Sequence, residues 1–197
     1  MPRQINFDIL FNFSGRNGRF LDRDPNANDD DNSRFWTSAG ANGVRVPVPP
    51  ILNRRLDSVT LGTNDTVTVR FGYKQRVRRG DPMPTPIVQR LDAAVTIGRR
   101  LDDGQPPQNI ASPFGGVPQT VFVGSLATME LETQQDTDRD GSSDVTFFYK
   151  LPLGTVTEAG NSANPSQYAM MIGANVQTAN GSFSFGHDPE IDVGTEQ

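Results

Sequence analysis

The chain has 197 residues, a net charge of −5 and a sequence pI near 4.8, with 19 glycines, 15 prolines and no cysteine. That length suits a single domain, residues 1–197, with a substantial core. The acidic balance lacks the basic stripe of a duplex-binding protein, so nucleic acid is excluded as a partner, and the missing thiols exclude disulfides, thiolate catalysis and zinc–thiolate sites.

Alternation with a period of two begins near the N-terminus. Ile5, Phe7, Ile9, Phe11 and Phe13 alternate with Asn6, Asp8 and Asn12, broken at Leu10, which predicts a half-buried strand. After a long loop over 14–35, the same pattern returns at Val67, Val69, Phe71 and Tyr73, then at Leu91, Ala93, Val95 and Ile97. Ala127, Met129 and Leu131 predict another strand, as do Val145, Phe147, Tyr149 and Leu151. Tyr168, Met170, Ile172, Ala174 and Val176 follow, and Phe183 with Phe185 and Ile191 with Val193 suggest short closing strands. Prolines and glycines over 46–50, 81–86, 104–107 and 113–118 separate these runs.

No stretch of a dozen residues shows a helical stripe. The expectation is an all-β chain folded as an antiparallel β-sandwich, with a jelly roll as its narrower form. Loops at 14–35, 99–118 and 152–166 are expected at the sandwich ends, where binding surfaces form. No apolar stretch has the length of a signal peptide or a membrane span, so no membrane insertion is expected. As written, the chain reads as cytoplasmic, although a calcium loop would suit an extracellular setting.

The residue pattern richest in chemistry is 136–144, Asp-Thr-Asp-Arg-Asp-Gly-Ser-Ser-Asp. Carboxylates at alternate positions around a glycine suit a hard cation with oxygen ligands. Asp136, Asp138 and Asp140 would converge, Gly141 would permit a sharp turn, and the Ser142 carbonyl with the Asp144 carboxylate would complete a Ca²⁺ shell. The setting between two strands is not that of an EF-hand, and Phe147 stands where the bidentate glutamate would be. The bland alternative is a solvated acidic turn, partly balanced by Arg139. A second candidate, Asp22, Asp24, Asn26 and Asp30, has similar spacing but is interrupted by Pro25.

Other chemistry is sparse. His187 is the only histidine, so no His-paired nucleophile or multi-histidine metal site can form. No nucleophile elbow or phosphate-binding loop occurs. Carboxylates are abundant, which keeps a hydrolase as a third reading. Arg79-Gly80-Asp81 reads as a turn, and the clustered arginines beside aspartates read as surface ion pairs. Trp36, Tyr73, Tyr149 and Tyr168 suit either sugar stacking or core packing, and packing is the simpler use of each.

Two resemblances add to this. The nine residues 136–144 resemble the calcium loops of extracellular β proteins and thrombospondin type-3 repeats, which implies calcium binding. Across the chain, Ile5-Asn6-Phe7-Asp8-Ile9, Asp24-Pro25-Asn26, Asn64-Asp65-Thr66-Val67-Thr68-Val69-Arg70, the prolines of 82–86 and the segment 185–193 occur in one order. That order resembles the bacterial inclusion-body family typified by AidA and PixA. Gly186-His187 stands where that family has an aromatic–Trp pair, and the family's Ser-Gly-Gln-Gly-like segment is missing. The resemblance implies a β-sandwich and carries over no catalytic residue.

The leading expectation is therefore a calcium-binding, non-enzymatic β-sandwich that presents a binding surface, with a glycan as the expected partner. The alternative is a self-associating structural protein of the inclusion-body type, a homo-oligomer in which the acidic loop sets local stability or subunit contacts.

Overall fold

The computed structural model describes residues 2–13, 19–20, 33–39, 44–47, 59–99, 112–115, 119–157, 166–187 and 190–193. Thirteen strands and no helix occur among them: β1 (Gln4–Asn12), β2 (Arg19–Phe20), β3 (Ser33–Ala39), β4 (Val44–Pro47), β5 (Val59–Leu61), β6 (Thr66–Val77), β7 (Val88–Arg99), β8 (Gln119–Ser125), β9 (Glu130–Thr137), β10 (Ser143–Thr155), β11 (Ser166–Thr178), β12 (Gly181–His187) and β13 (Glu190–Val193). They form two sheets. The first runs β4–β3–β1–β6–β10–β9, with β2 also on β1, and the second runs β5–β13–β11–β7–β8, with β12 also on β11.

Alternation dictates the packing. Ile5, Phe7 and Ile9 of β1 are buried beside Val67, Val69 and Phe71 of β6, their register partners, and Val145, Phe147 and Tyr149 extend that inner face onto β10. Leu91, Val95 and Ile97 of β7, with Met170, Ile172 and Val176 of β11, form the facing layer within the same core cluster. The molecule is thus the β-sandwich expected from the sequence. Two pairs, β1–β6 and β5–β13, are parallel, and the rest are antiparallel.

Several element bounds differ from expectation. Ala127 and Met129 lie in the turn before β9, which starts at Glu130, while β8 occupies 119–125, where no strand was predicted. The expected loops at 14–35 and 152–166 give up residues to β2, β3 and the end of β10. Tyr73, Tyr149 and Tyr168 are buried core residues. Proline at 152 is tolerated because β9 pairs β10 only as far as Lys150, leaving that flank of β10 without a ladder partner among the described residues. A register shift between Pro152 and Gly154 then makes Leu153 an extra, buried residue.

On the outer face of the first sheet, four strands are stitched by charge. Arg70 on β6 donates to both carboxylate oxygens of Asp8 on β1, at 2.6 and 2.5 Å, and its other arm reaches Glu132 on β9 at 3.1 Å. Lys150 on β10 lies 3.0 Å from Glu130. Asp8 and Arg70 are both buried, so the bidentate pairing is what makes their burial tolerable. At one end of the fold, Asp65 is also buried: it accepts from the Arg3 and Gly62 backbone N–H groups and from the Arg3 guanidinium, tying β1 to the turn before β6.

Candidate functional site

The acidic segment 136–144 caps the β9–β10 hairpin. Thr137 and Ser143 are paired, and between them the Asp138 N–H donates to the Ser142 carbonyl at 2.8 Å while the Gly141 N–H donates to the Asp138 carbonyl at 3.0 Å. This is a four-residue turn, 138–141, closed by a glycine in the left-handed region at φ 81°, the three-residue hairpin form with a glycine bulge. Aspartate at the first turn position and glycine at the fourth are what such a turn prefers. Gly141 also lies against Arg79, whose Cδ would be 3.0 Å from a methyl group placed there.

Each sequence-predicted ligand has a place in this hairpin. Asp136 and Asp144 face each other across β9 and β10, and Arg76 on β6 is the next residue in that row. Arg76 reaches Asp144 at 3.1 Å and forms a short ion pair with Asp138. Those two carboxylates, Asp138 first, hold the Arg76 guanidinium above its ordinary pKa. Asp140 points elsewhere: the Ser142 backbone N–H donates to its Oδ1 at 2.8 Å and holds its carboxyl below the usual aspartate value. Ser142 therefore engages Asp138 through its carbonyl and Asp140 through its amide.

The hairpin thus brings Asp138 and Asp144 together on one cation, Arg76. Among the described residues, no three acidic, histidine or cysteine side chains converge on a point that would seat a metal ion. Asp22, Asp24, Asn26 and Asp30 lie outside the described residues. Arg79-Gly80-Asp81 forms the turn expected of it, with the Asp81 N–H donating to the Arg78 carbonyl at 3.1 Å and Gly80 at φ 87°.

Exposed apolar residues also lie at one edge of the second sheet. Among the described residues strand β8 pairs only with β7, and on it Val121 and Val123 are 56% and 74% exposed. Their register partners on β7 are Thr96 and Ala94, and Gly173 on β11 continues the Val123 row. These small side chains leave a shallow hollow of about 570 Å³, bounded by Val123, Ser125, Asp92 and Asn175. Sequence inspection missed β8 because Val121, Phe122 and Val123 are three apolar residues in succession, with no alternation to read. Its signal was composition: a short, β-branched, uncharged run bounded by Pro118 and Gly124.

The β8 edge turns sharply into β9. Ser125 closes that turn, its carbonyl accepting from the Thr128 and Met129 N–H groups and its N–H donating to the Thr128 hydroxyl. Both sheets therefore end on the same side of the molecule, at β8 and at β9. Comparison with family models, curated proteins and solved structures finds no match to this chain.

Proposed function

We propose that this chain is a non-enzymatic β-sandwich that works by association, taking an extended partner strand along its β8 edge. The carrying observation is a seven-residue edge strand, Gln119–Ser125, with no charge and no proline and with two valines presented to solvent. Natural edge strands are usually blunted by lysine, proline, a bulge or a cover, and an unprotected one is a template for strand addition. The test uses immobilised extended peptides rich in valine, including residues 119–125 themselves. Retention of the intact protein that is lost in Val121→Pro supports the reading; no retention of any peptide contradicts it.

A second reading, calcium uptake by the acidic hairpin, is favoured by the exposed ion pair at its base. Arg76 and Asp138 are each about half exposed, at 47% and 52%, so the arginine is a displaceable counter-ion. In this reading Ca²⁺ replaces Arg76 at Asp138 and Asp144, Asp136 and Asp140 swing in, and a glycan binds at the ordered loop. Melting with calcium against chelator tests the first step. A glycan array run under the same two conditions tests the second, and binding indifferent to chelator rejects it.

A further inference from the structure

The backbone of β8 divides its hydrogen-bonding groups between β7 and the edge. Leu126 N–H donates to the Leu91 carbonyl at 2.8 Å, continuing the register that pairs Ser125 with Asp92. In an antiparallel ladder, hydrogen-bonded pairs recur at every second residue. Thr120, Phe122 and Gly124 therefore turn their amides and carbonyls toward β7, and Val121 and Val123 turn theirs to the open edge. Ser125 spends its own edge-facing groups on the turn to Thr128, so the free stretch stops there.

We propose that this edge pairs with the β8 edge of a second copy, antiparallel and centred on Phe122, which joins the two second sheets into one; the proposal rests on the association reading above. About that centre Val121 of one copy stands opposite Val123 of the other. Both residues aim their backbone groups outward, so each valine exchanges both bonds with its opposite number. The register is self-complementary on the side-chain level as well, because both valines lie on the outer face and meet their counterparts there.

For a pairing of two copies, charge favours the β8 edge over the β9 edge. The molecule carries a net charge of −5, and β9 holds Glu130, Glu132 and Asp136, so two β9 edges would set carboxylates against each other. Strand β8 has no charged residue, so two acidic copies can meet along it without that repulsion, and it is longer than the three-residue edge strand β5. An antiparallel pair of like strands also closes on a twofold axis and leaves no further β8 edge exposed. The product is a dimer and not a fibre.

Sedimentation velocity over a concentration series tests this on the intact chain. The expected result is a monomer–dimer equilibrium, with slowed hydrogen exchange at the Val121 and Val123 amides in the dimer. Val121→Pro removes an edge donor that the monomer does not use, and Val123→Lys places like charge at the pairing line. Both variants are expected to stay monomeric at concentrations where the wild type is dimeric, with unchanged circular dichroism. A dimer that persists in both variants overturns the proposal. A wild-type chain that stays monomeric yet retains the 119–125 peptide also overturns it, while the association reading stands. A monomer that retains no peptide defeats both.

Discussion

The guanidinium of Arg70 lies 4.3 Å above the centre of the Phe148 ring, and that ring in turn covers Gly72. Phe148 is the apolar residue of β10 that points away from the inner core, yet it is buried. The cation over its face and the glycine beneath it account for this. Arg70 therefore serves three partners, Asp8 and Glu132 through hydrogen bonds and Phe148 through its π face.

Removing Arg70 leaves Asp8 buried without its bidentate donor. Arg70→Ala is expected to cost about 3–5 kcal/mol, the range for a broken buried ion pair. Glu132→Gln, at the half-exposed end of the network, is expected to cost under about 1 kcal/mol. Urea unfolding of the two variants checks the order, and equal losses would show that the network is not centred on Arg70.

Gly72 is required by contact. A methyl group there would lie 2.6 Å from Phe148 Cδ1 and 2.7 Å from the Phe147 carbonyl, which is backbone and cannot yield by rotation. Gly72→Ala is expected to destabilise by about 1–3 kcal/mol, as overpacking does. Gly72→Ala combined with Phe148→Leu should recover only the ring's share. A full recovery would show that the carbonyl contact costs nothing.

The hairpin offers a two-way test of calcium. If Ca²⁺ displaces Arg76, then Arg76→Ala frees Asp138 and Asp144 in advance and should enlarge the calcium-induced rise in Tm. Calcium at about a hundred times its Kd should add about 2.7 kcal/mol. Asp138→Ala should abolish the effect. Equal Tm with calcium and chelator in all three proteins would leave the segment as a turn held by Arg76.

Alkaline titration reports on the core tyrosines. Burial raises the hydroxyl pKa of Tyr73 above 10.0 and that of Tyr149 further still. The unfolded chain releases these protons near pH 10, so above that point the folded form holds more of them. Their contribution to stability is full below about pH 10 and is lost as pH rises through the folded values. Tyr149→Phe should flatten that loss. It should also be neutral or stabilising by up to about 1 kcal/mol near pH 7, because Tyr149 Oη is buried with no hydrogen-bond partner among the described residues.

Period-two alternation was enough to read β1, β6, β7, β10 and β11, since each of these strands buries one face against the opposite sheet. It failed where burial has another cause. Phe148 is buried on the outer face through Gly72 and Arg70, its neighbours on β6, and no window of local sequence contains that pairing. Strand β8 failed for the opposite reason, because apolar residues occupy both of its faces and the outward pair stays exposed. The acidic segment was legible as an oxygen-rich turn with glycine at its bend. Its pairing with Arg76, sixty-eight positions from Asp144, was not, because strand order alone creates it.

Strand β1 lies inside its sheet, parallel to β6, and Asp8 meets Arg70 across a separation of 62 residues. A chain made from its N-terminus thus produces one of its central strands long before that strand's inner neighbour exists. Until β6 arrives, Ile5, Phe7, Ile9 and Phe11 have no inner sheet partner to cover them. Folding of this topology is set by distant pairings and should be slow, with loop closure as the main entropic barrier. The first strand is then the part of a nascent chain that most needs shielding from other chains while it waits.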